Sequence, residues 1–449
     1  MKLKPFHPLF LMLLLAFVLG GCGNRIVDTL LMVDEKIVEP PKIWEGLPEP
    51  LARVVKAAGD NGGQIRGFIE HYEQDTPKHA VAAKQVEGMC LADAAGRDLL
   101  DLTENVDQAY AMRVAVPWGP LLPEAIFVEY VAPYRVGREL FRPWRKELSE
   151  RLAPRLVQAK AIPDAVAAVR LWTYEQAQFE PSRDYLAAAL DTLNRAKGSG
   201  EELAILLTCA LRAACVPARL GGYGSGLVEY WDGQWQLLDA VDFSDLSPAL
   251  RKAADERHEE QGRALEGSAL AWMSAQRKLA CSREDAGRVL TVARGNWKEV
   301  AAFLLAIPAY RAEAYCAYVT HLSNRDLAAL RPAQALDNVR MALAASNAKP
   351  DKEKGWNEFV MNILPDRISN EPPSMWRGTY TKLFMGYKLM PEPEARQAVR
   401  NWAQSLELTE GLPTGPTMTP LEIIKSNHVS NESERQLAER AALRALGLQ

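Results

Sequence analysis

This chain is written twice, and that constrains its fold more than any other feature. Ile126-Phe-Val-Glu-Tyr-Val-Ala-Pro133-Tyr-Arg135-Val-Gly-Arg-Glu139 continues to Trp144-Arg145. It aligns without a gap with Glu358-Phe-Val-Met-Asn-Ile-Leu-Pro365-Asp-Arg367-Ile-Ser-Asn-Glu371, which continues to Trp376-Arg377, at an offset of 232 residues. Upstream, Asn61 to Phe68 matches Asn296 to Phe303 at an offset of 235. Downstream, Ala165 to Trp172 matches Ala395 to Trp402 at 230, and Ala210-Leu-Arg212-Ala matches Ala442-Leu-Arg444-Ala at 232. Helical patterning alone does not require Pro, Arg, Glu, Trp and Arg to recur in one register. The reading is a duplication: one unit from about 58 to 245, a second from about 293 to the end, the second stopping where the first goes on to its strands.

Periodicity supplies the elements. Amphipathic helices are predicted over 78–92, 103–113, 146–158, 162–178, 185–196 and 201–214, then near 297–306, 311–323, 333–346, 393–405 and 432–446. Residues 246–264 read as a charged helix within a helical connector, 246–292. Leu227 to Tyr230 and Gln234 to Leu238 flank Trp231-Asp-Gly233, a hairpin signal. Strands are expected in the first unit only. The fold class is α+β, mainly α, with one small antiparallel sheet.

The N-terminus reads as an address. Lys2 and Lys4 precede an apolar run, Leu9 to Leu19, too short to span a bilayer. Leu19-Gly20-Gly21-Cys22 resembles the lipobox of bacterial lipoproteins. That resemblance implies a signal peptide, 1–21, and a lipid on Cys22 that holds the protein at a membrane. Gly23 in place of Asp implies the outer membrane, facing the periplasm, in a host with two membranes. Residues 22–57, with Pro40, Pro41, Pro48 and Pro50, read as a tether.

A net charge of −4 with interspersed signs gives no footprint for nucleic acid. Five cysteines follow Cys22 (Cys90, Cys209, Cys215, Cys281 and Cys316), an odd number that forms no closed disulfide framework and reads mostly as small core residues. No metal-ligand spacing appears, and no cofactor is expected. Gly222-x-Gly224-x-Gly226 precedes a strand instead of opening a helix, so it reads as a turn and not a phosphate loop. Arg135 with Glu139, and Arg367 with Glu371, read as buried ion pairs kept by both units. Trp144 and Trp376 read as packing anchors.

One stretch carries a family resemblance. Gly198-Ser-Gly-Glu-Glu-Leu-Ala-Ile-Leu-Leu-Thr-Cys-Ala-Leu-Arg-Ala-Ala-Cys-Val-Pro-Ala-Arg219 resembles the nucleophile helix of the transglutaminase-like superfamily, whose pattern runs Gly-x-Cys, apolar helix, Leu-Arg-Ala, Gly-Ile-Pro-Ala-Arg. Val228-Glu-Tyr-Trp-Asp-Gly-Gln-Trp-Gln-Leu-Leu-Asp239 resembles that family's hairpin. The resemblance implies a papain-like core over 151–245 and a truncated copy over 386–449, each preceded by a helical region, 58–150 and 293–385. It also implies a Cys-His-Asp triad, with a helix dipole and an imidazole acidifying the thiol.

Here the triad is degenerate. Counting back from Pro217-Ala-Arg219 puts the nucleophile position on Gly200; aligning on Gly-Glu-Glu puts it on Ser199. Gly200 is preferred, since a one-residue slip would turn the apolar face by about 100°. The histidine position falls on Ser225, and only Asp239 keeps its place. In the second unit the nucleophile position falls on Glu432. Ser199 reads as a cap for the helix that Glu201 and Glu202 open. Of six histidines, His258 reads as part of a solvated helix face, and His428 as a conceivable base acting across units.

The expectation is therefore a membrane-anchored, catalytically inactive protein. It would bind a peptide or glycan in a cleft of Ser199, Gly200, Glu201, Tyr223, Ser225, Trp231 and Asp239, left open by its glycines and serines, with Tyr230 and Trp235 adding aromatic surface, or act as a scaffold that holds an envelope protein partner. The alternative is an amidase or protease using Ser199 as a substitute nucleophile.

Overall fold

A computed structural model describes residues 42–182, 184–222, 224–346 and 353–448. The signal peptide, Cys22, the tether up to residue 41 and Tyr223 lie outside the described residues. The first unit contains α1 (Glu49–Ala57), α2 (Gly62–His71), α3 (Thr76–Glu87), α4 (Leu91–Gly96), α5 (Leu99–Ala115), α6 (Glu124–Tyr130), α7 (Arg145–Leu156) and α8 (Ile162–Gln176). It continues with β1 (Gln178–Phe179), α9 (Ala189–Arg195), β2 (Lys197–Gly198), α10 (Gly200–Ala213), β3 (Ala218–Leu220), β4 (Leu227–Trp231) and β5 (Trp235–Asp239). A long helix, α11 (Pro248–Ala275), leads to the second unit. That unit holds α12 (Arg283–Ala293), α13 (Trp297–Ala306), α14 (Ala312–His321), α15 (Asn324–Ala329), α16 (Pro332–Ala345) and α17 (Glu353–Glu358). It ends with α18 (Arg377–Leu383), α19 (Glu392–Ser405), β6 (Glu407–Leu408), α20 (Pro420–Ser426), β7 (His428–Val429) and α21 (Glu432–Leu446). The chain is mainly helical with small sheets, as the periodicity predicts.

The helices α1 to α10 recur in order as α12 to α21, so the repetition begins earlier in both units than residues 58 and 293. The last part of the expected tether is a helix: α1 buries Leu51, Val54 and Val55, which belong to the first unit's core. Pro48 is its N-cap and Pro50 lies in its first turn, where the missing N–H costs no helical bond. The strands are not confined to the first unit. β6 pairs in parallel with β7 as β1 pairs with β2. Among the described residues, the second unit has no counterpart of the antiparallel sheet β3-β4-β5.

Polar anchors recur with the helices. The Asn61 amide donates to the carbonyls of Ala94 and Arg97, and the Asn296 amide to those of Leu327 and Leu330. The indoles of Trp144 and Trp376 each donate over 2.7 Å, to the carbonyls of Tyr134 and Asp366. Arg145 and Arg377 are buried among carbonyls and donate to Asn105 and Asn338. Burial, with Arg212 or Arg444 nearby, lowers each of these two guanidinium groups to about 9. The expected Arg135–Glu139 ion pair forms at 4.0 Å, beside a closer partner; among the described residues Arg367 and Glu371 form no such pair, and Arg367 donates to the Glu371 backbone carbonyl. Arg135 closes on Asp93 over 2.5 Å, and Arg367 on Asp326 over 3.1 Å. The glutamates accept backbone N–H groups of their own turns: Val136 and Gly137 for Glu139, Ile368 and Ser369 for Glu371.

The two units clasp each other reciprocally. In the first, α9 packs against α15 and the turn at Arg294–Asn296 of the second. In the second, α20 packs against α4 and the turn at Gly59–Asn61 of the first. Equivalent elements exchange places across the contact, which is the relation found in an isologous dimer. A cavity of about 260 Å³ between the units is lined by counterparts from both, Arg138 with Asn370, Tyr185 with Pro416 and Leu186 with Thr417.

Cys281 and Cys316 form a disulfide that the odd cysteine count did not specify, while Cys90, Cys209 and Cys215 are buried free thiols.

Candidate functional site

The start of α10 is built by a capping box. Ser199 Oγ accepts the Glu202 backbone N–H over 3.3 Å, and the Glu202 carboxylate accepts the Ser199 N–H over 2.9 Å. Glu202 is fully buried. It also accepts the Ala187 N–H and pairs with Arg195 and with Arg325 of the second unit. Burial alone would raise its carboxyl, but Arg325 and Arg195, with the N–H donors, hold it below the ordinary value. Behind this end, α10 buries Leu203 to Ala213 without interruption, so the helix runs through the core and packs against β3 and β4.

The hairpin forms as expected, β4 pairing with β5 from Leu227 opposite Asp239 to Trp231 opposite Trp235, and Gly233 takes the turn at φ +112°. Its backbone meets the helix start. A Cβ placed on Gly200 would lie 3.5 Å from the Gly226 nitrogen and 3.6 Å from Val241 Cγ2; one placed on Gly226 would lie 2.8 Å from Val241 Cγ2 and 3.5 Å from an Asp239 carboxylate oxygen. The fold thus brings Gly200, Gly226 and Asp239 together. Ser225 turns back into its own loop, donating to the Gly222 carbonyl over 2.8 Å. The Asp239 carboxylate accepts the N–H groups of Val241 and Asp242. Burial raises the Glu201 carboxyl against the opposing pull of Arg138.

The Val241 side chain, an exposed apolar residue just past the hairpin that no motif flagged, lies beside Gly200 and Gly226 in the expected cleft. The hairpin aromatics serve packing. Trp235 stacks edge-on against Tyr130 and Trp231 and lies under Arg219, and Tyr230 packs against the core.

Among the described residues, no imidazole or free thiol bonds to Asp239 or to the start of α10. His71 stacks on Tyr72, His321 bonds the Ala317 carbonyl, and His428 faces Glu407 at 3.9 Å. His258 is not on a solvated face. It is buried against α8, where its Nδ1 meets the Glu175 carbonyl over 3.0 Å. The charged residues around it belong to the other faces of α11, which hid its burial. At the second unit's equivalent helix start, Asn431 replaces Ser199 as the cap and Glu434 replaces Glu202. No His/Cys/Asp/Glu group able to hold a metal ion occurs among the described residues.

No family model, curated protein or solved structure matches this chain.

Proposed function

We propose that this is a lipid-anchored, catalytically inert protein of transglutaminase-like descent, acting as a scaffold or binding module at a bacterial cell envelope. One observation carries the reading. At the helix start where a reactive thiol belongs, Gly200 offers no nucleophile, and Ser199 has its hydroxyl committed to capping α10. A serine needs a base to take its proton, and the neighbouring Asp239 carboxylate is engaged by two backbone amides. The reciprocal body, whose two units are joined by buried and part-buried ion pairs, supports a scaffold role.

The test uses acylating probes. A thiol-directed and a serine-directed reagent should leave the start of α10 unlabelled. Labelling at Ser199 that disappears in Ser199→Ala would instead make the protein a hydrolase. The double variant Gly200→Cys with Ser225→His should gain thiol reactivity, since a Cβ at Gly200 meets only ordinary van der Waals contacts. An inert double variant would remove the support for transglutaminase-like descent.

A further inference from the structure

A second groove lies on another face, where α11 crosses the junction of the two units. It holds about 490 Å³, within the range of small-molecule sites. Leu193 and Leu265 give it apolar walls, and Arg151, His258 and Arg294 bring polar groups to it. Arg151 already carries Glu147 as a partner. Arg294 has none: no carboxylate among the described residues forms an ion pair with it, and its one hydrogen bond is a 3.5 Å contact to the Arg195 carbonyl.

The backbone at Arg294 makes that side chain conspicuous. Arg294 sits at φ +48°, a conformation that disfavours any side chain. Its counterpart in the first unit, at the same turn, is Gly59, with φ +58°. One copy thus has the residue the backbone prefers, and the other keeps an arginine at a conformational cost. Strain of this kind is retained where a side chain has a task. The guanidinium also lies close over Gly262, where even a Cβ would come within 3.3 Å of it. His258 faces the same space. A carbonyl only accepts, so the Glu175 carbonyl takes the Nδ1 proton, and the neutral ring keeps Nε2 as an acceptor. Glu259 and Glu266 border an adjoining hollow, and Glu259 is paired with Arg263.

We infer that this groove binds a small organic carboxylate with an apolar body, the carboxylate meeting Arg294 and the body lying on Leu193 and Leu265. The C-terminal residue of a peptide and a short fatty acid share this chemistry. The site does not depend on the transglutaminase-like reading, since it shares no residue with the start of α10.

Calorimetric titration of the full chain in non-ionic detergent tests it, with N-acetyl-L-leucine, N-acetyl-L-leucinamide and hexanoate as probes. At least one of the two acids should bind saturably, and the amide at least about tenfold more weakly than N-acetyl-L-leucine if that is the acid bound, as expected for loss of a charge-assisted contact. Preference for N-acetyl-L-leucine would favour a peptide terminus, and preference for hexanoate a fatty acid. Arg294→Gln should cost about tenfold in affinity, and Ser268→Trp, at an exposed rim position, should block binding while leaving the melting temperature unchanged. Binding of neither acid, equal binding of N-acetyl-L-leucine and its amide, or unaltered binding by Arg294→Gln would overturn the inference.

Discussion

Arg325 of the second unit pairs with Glu202 on the central helix of the first, and so ties the units together at the capping box of α10. Both side chains are buried. In the second unit the same position is Glu434, which has backbone donors but no arginine; burial raises its carboxyl, whereas that of Glu202 is held low. Removing Arg325 would strand a buried charge. Arg325→Ala and Glu202→Gln should each cost about 3–5 kcal/mol, with the double variant costing well under the sum. Urea unfolding of the three variants measures the coupling, and strict additivity would show that the pair contributes nothing.

Asp366 should make stability fall as pH rises. Its carboxyl is pushed up to about 6, first by burial and then by Asp326. Below its ordinary value near 3.8 the group is protonated in both states and has no effect. Between that value and about 6 the unfolded chain gives up the proton first, so ionisation favours unfolding. At pH 8 the cost is roughly 2–3 kcal/mol. Asp366→Asn should therefore gain stability relative to the parent at pH 8 compared with pH 4.5. A difference that does not change with pH refutes this assignment.

Ser199 is expected to behave as a cap and nothing more. Ser199→Ala should cost about 1 kcal/mol, and Ser199→Asp almost nothing, because aspartate caps as well and suits the helix dipole. Thermal unfolding separates the two; a large loss in Ser199→Asp would point to a further role for the hydroxyl.

The turn that differs between the units gives a paired test. Arg294→Gly should raise stability by about 1 kcal/mol by relieving the positive φ, while abolishing carboxylate binding. Gly59→Ala should do the reverse, losing more than about 1 kcal/mol, because its Cβ would sit 2.5 Å from the Lys425 carbonyl oxygen.

The disulfide closes a loop of 35 residues, and reducing it should lower stability by about 4 kcal/mol. The free thiols should stay silent. Burial pushes Cys90 and Cys215 up to about 12 and raises Cys209 well above its ordinary value, so iodoacetamide should modify none of the three until the chain unfolds.

Local signals in the sequence were legible where they are self-contained. The Ser-x-x-Glu box at Ser199, the Asp-Gly hairpin and the helix over 432–446 depend on neighbours a few residues away, and each lies where periodicity and turn chemistry predict. The duplication was legible because Trp144 and Arg145 do the same work as Trp376 and Arg377. The rest rests on distant partners. Arg325 looks like any surface arginine, since its carboxylate lies 123 residues away. Val241 lies beside Gly200 only because β5 ends where it does. The burial of His258 follows from α11 lying on α8, which no local pattern in a charged helix reveals.

The reciprocal exchange of α9 with α15 and of α20 with α4 has a mechanical consequence. Severing the main chain anywhere along α11 would not release one half from the other, because each still grips a helix of its neighbour. The molecule is a two-handed grasp, with α11 laid across both halves as a third point of contact.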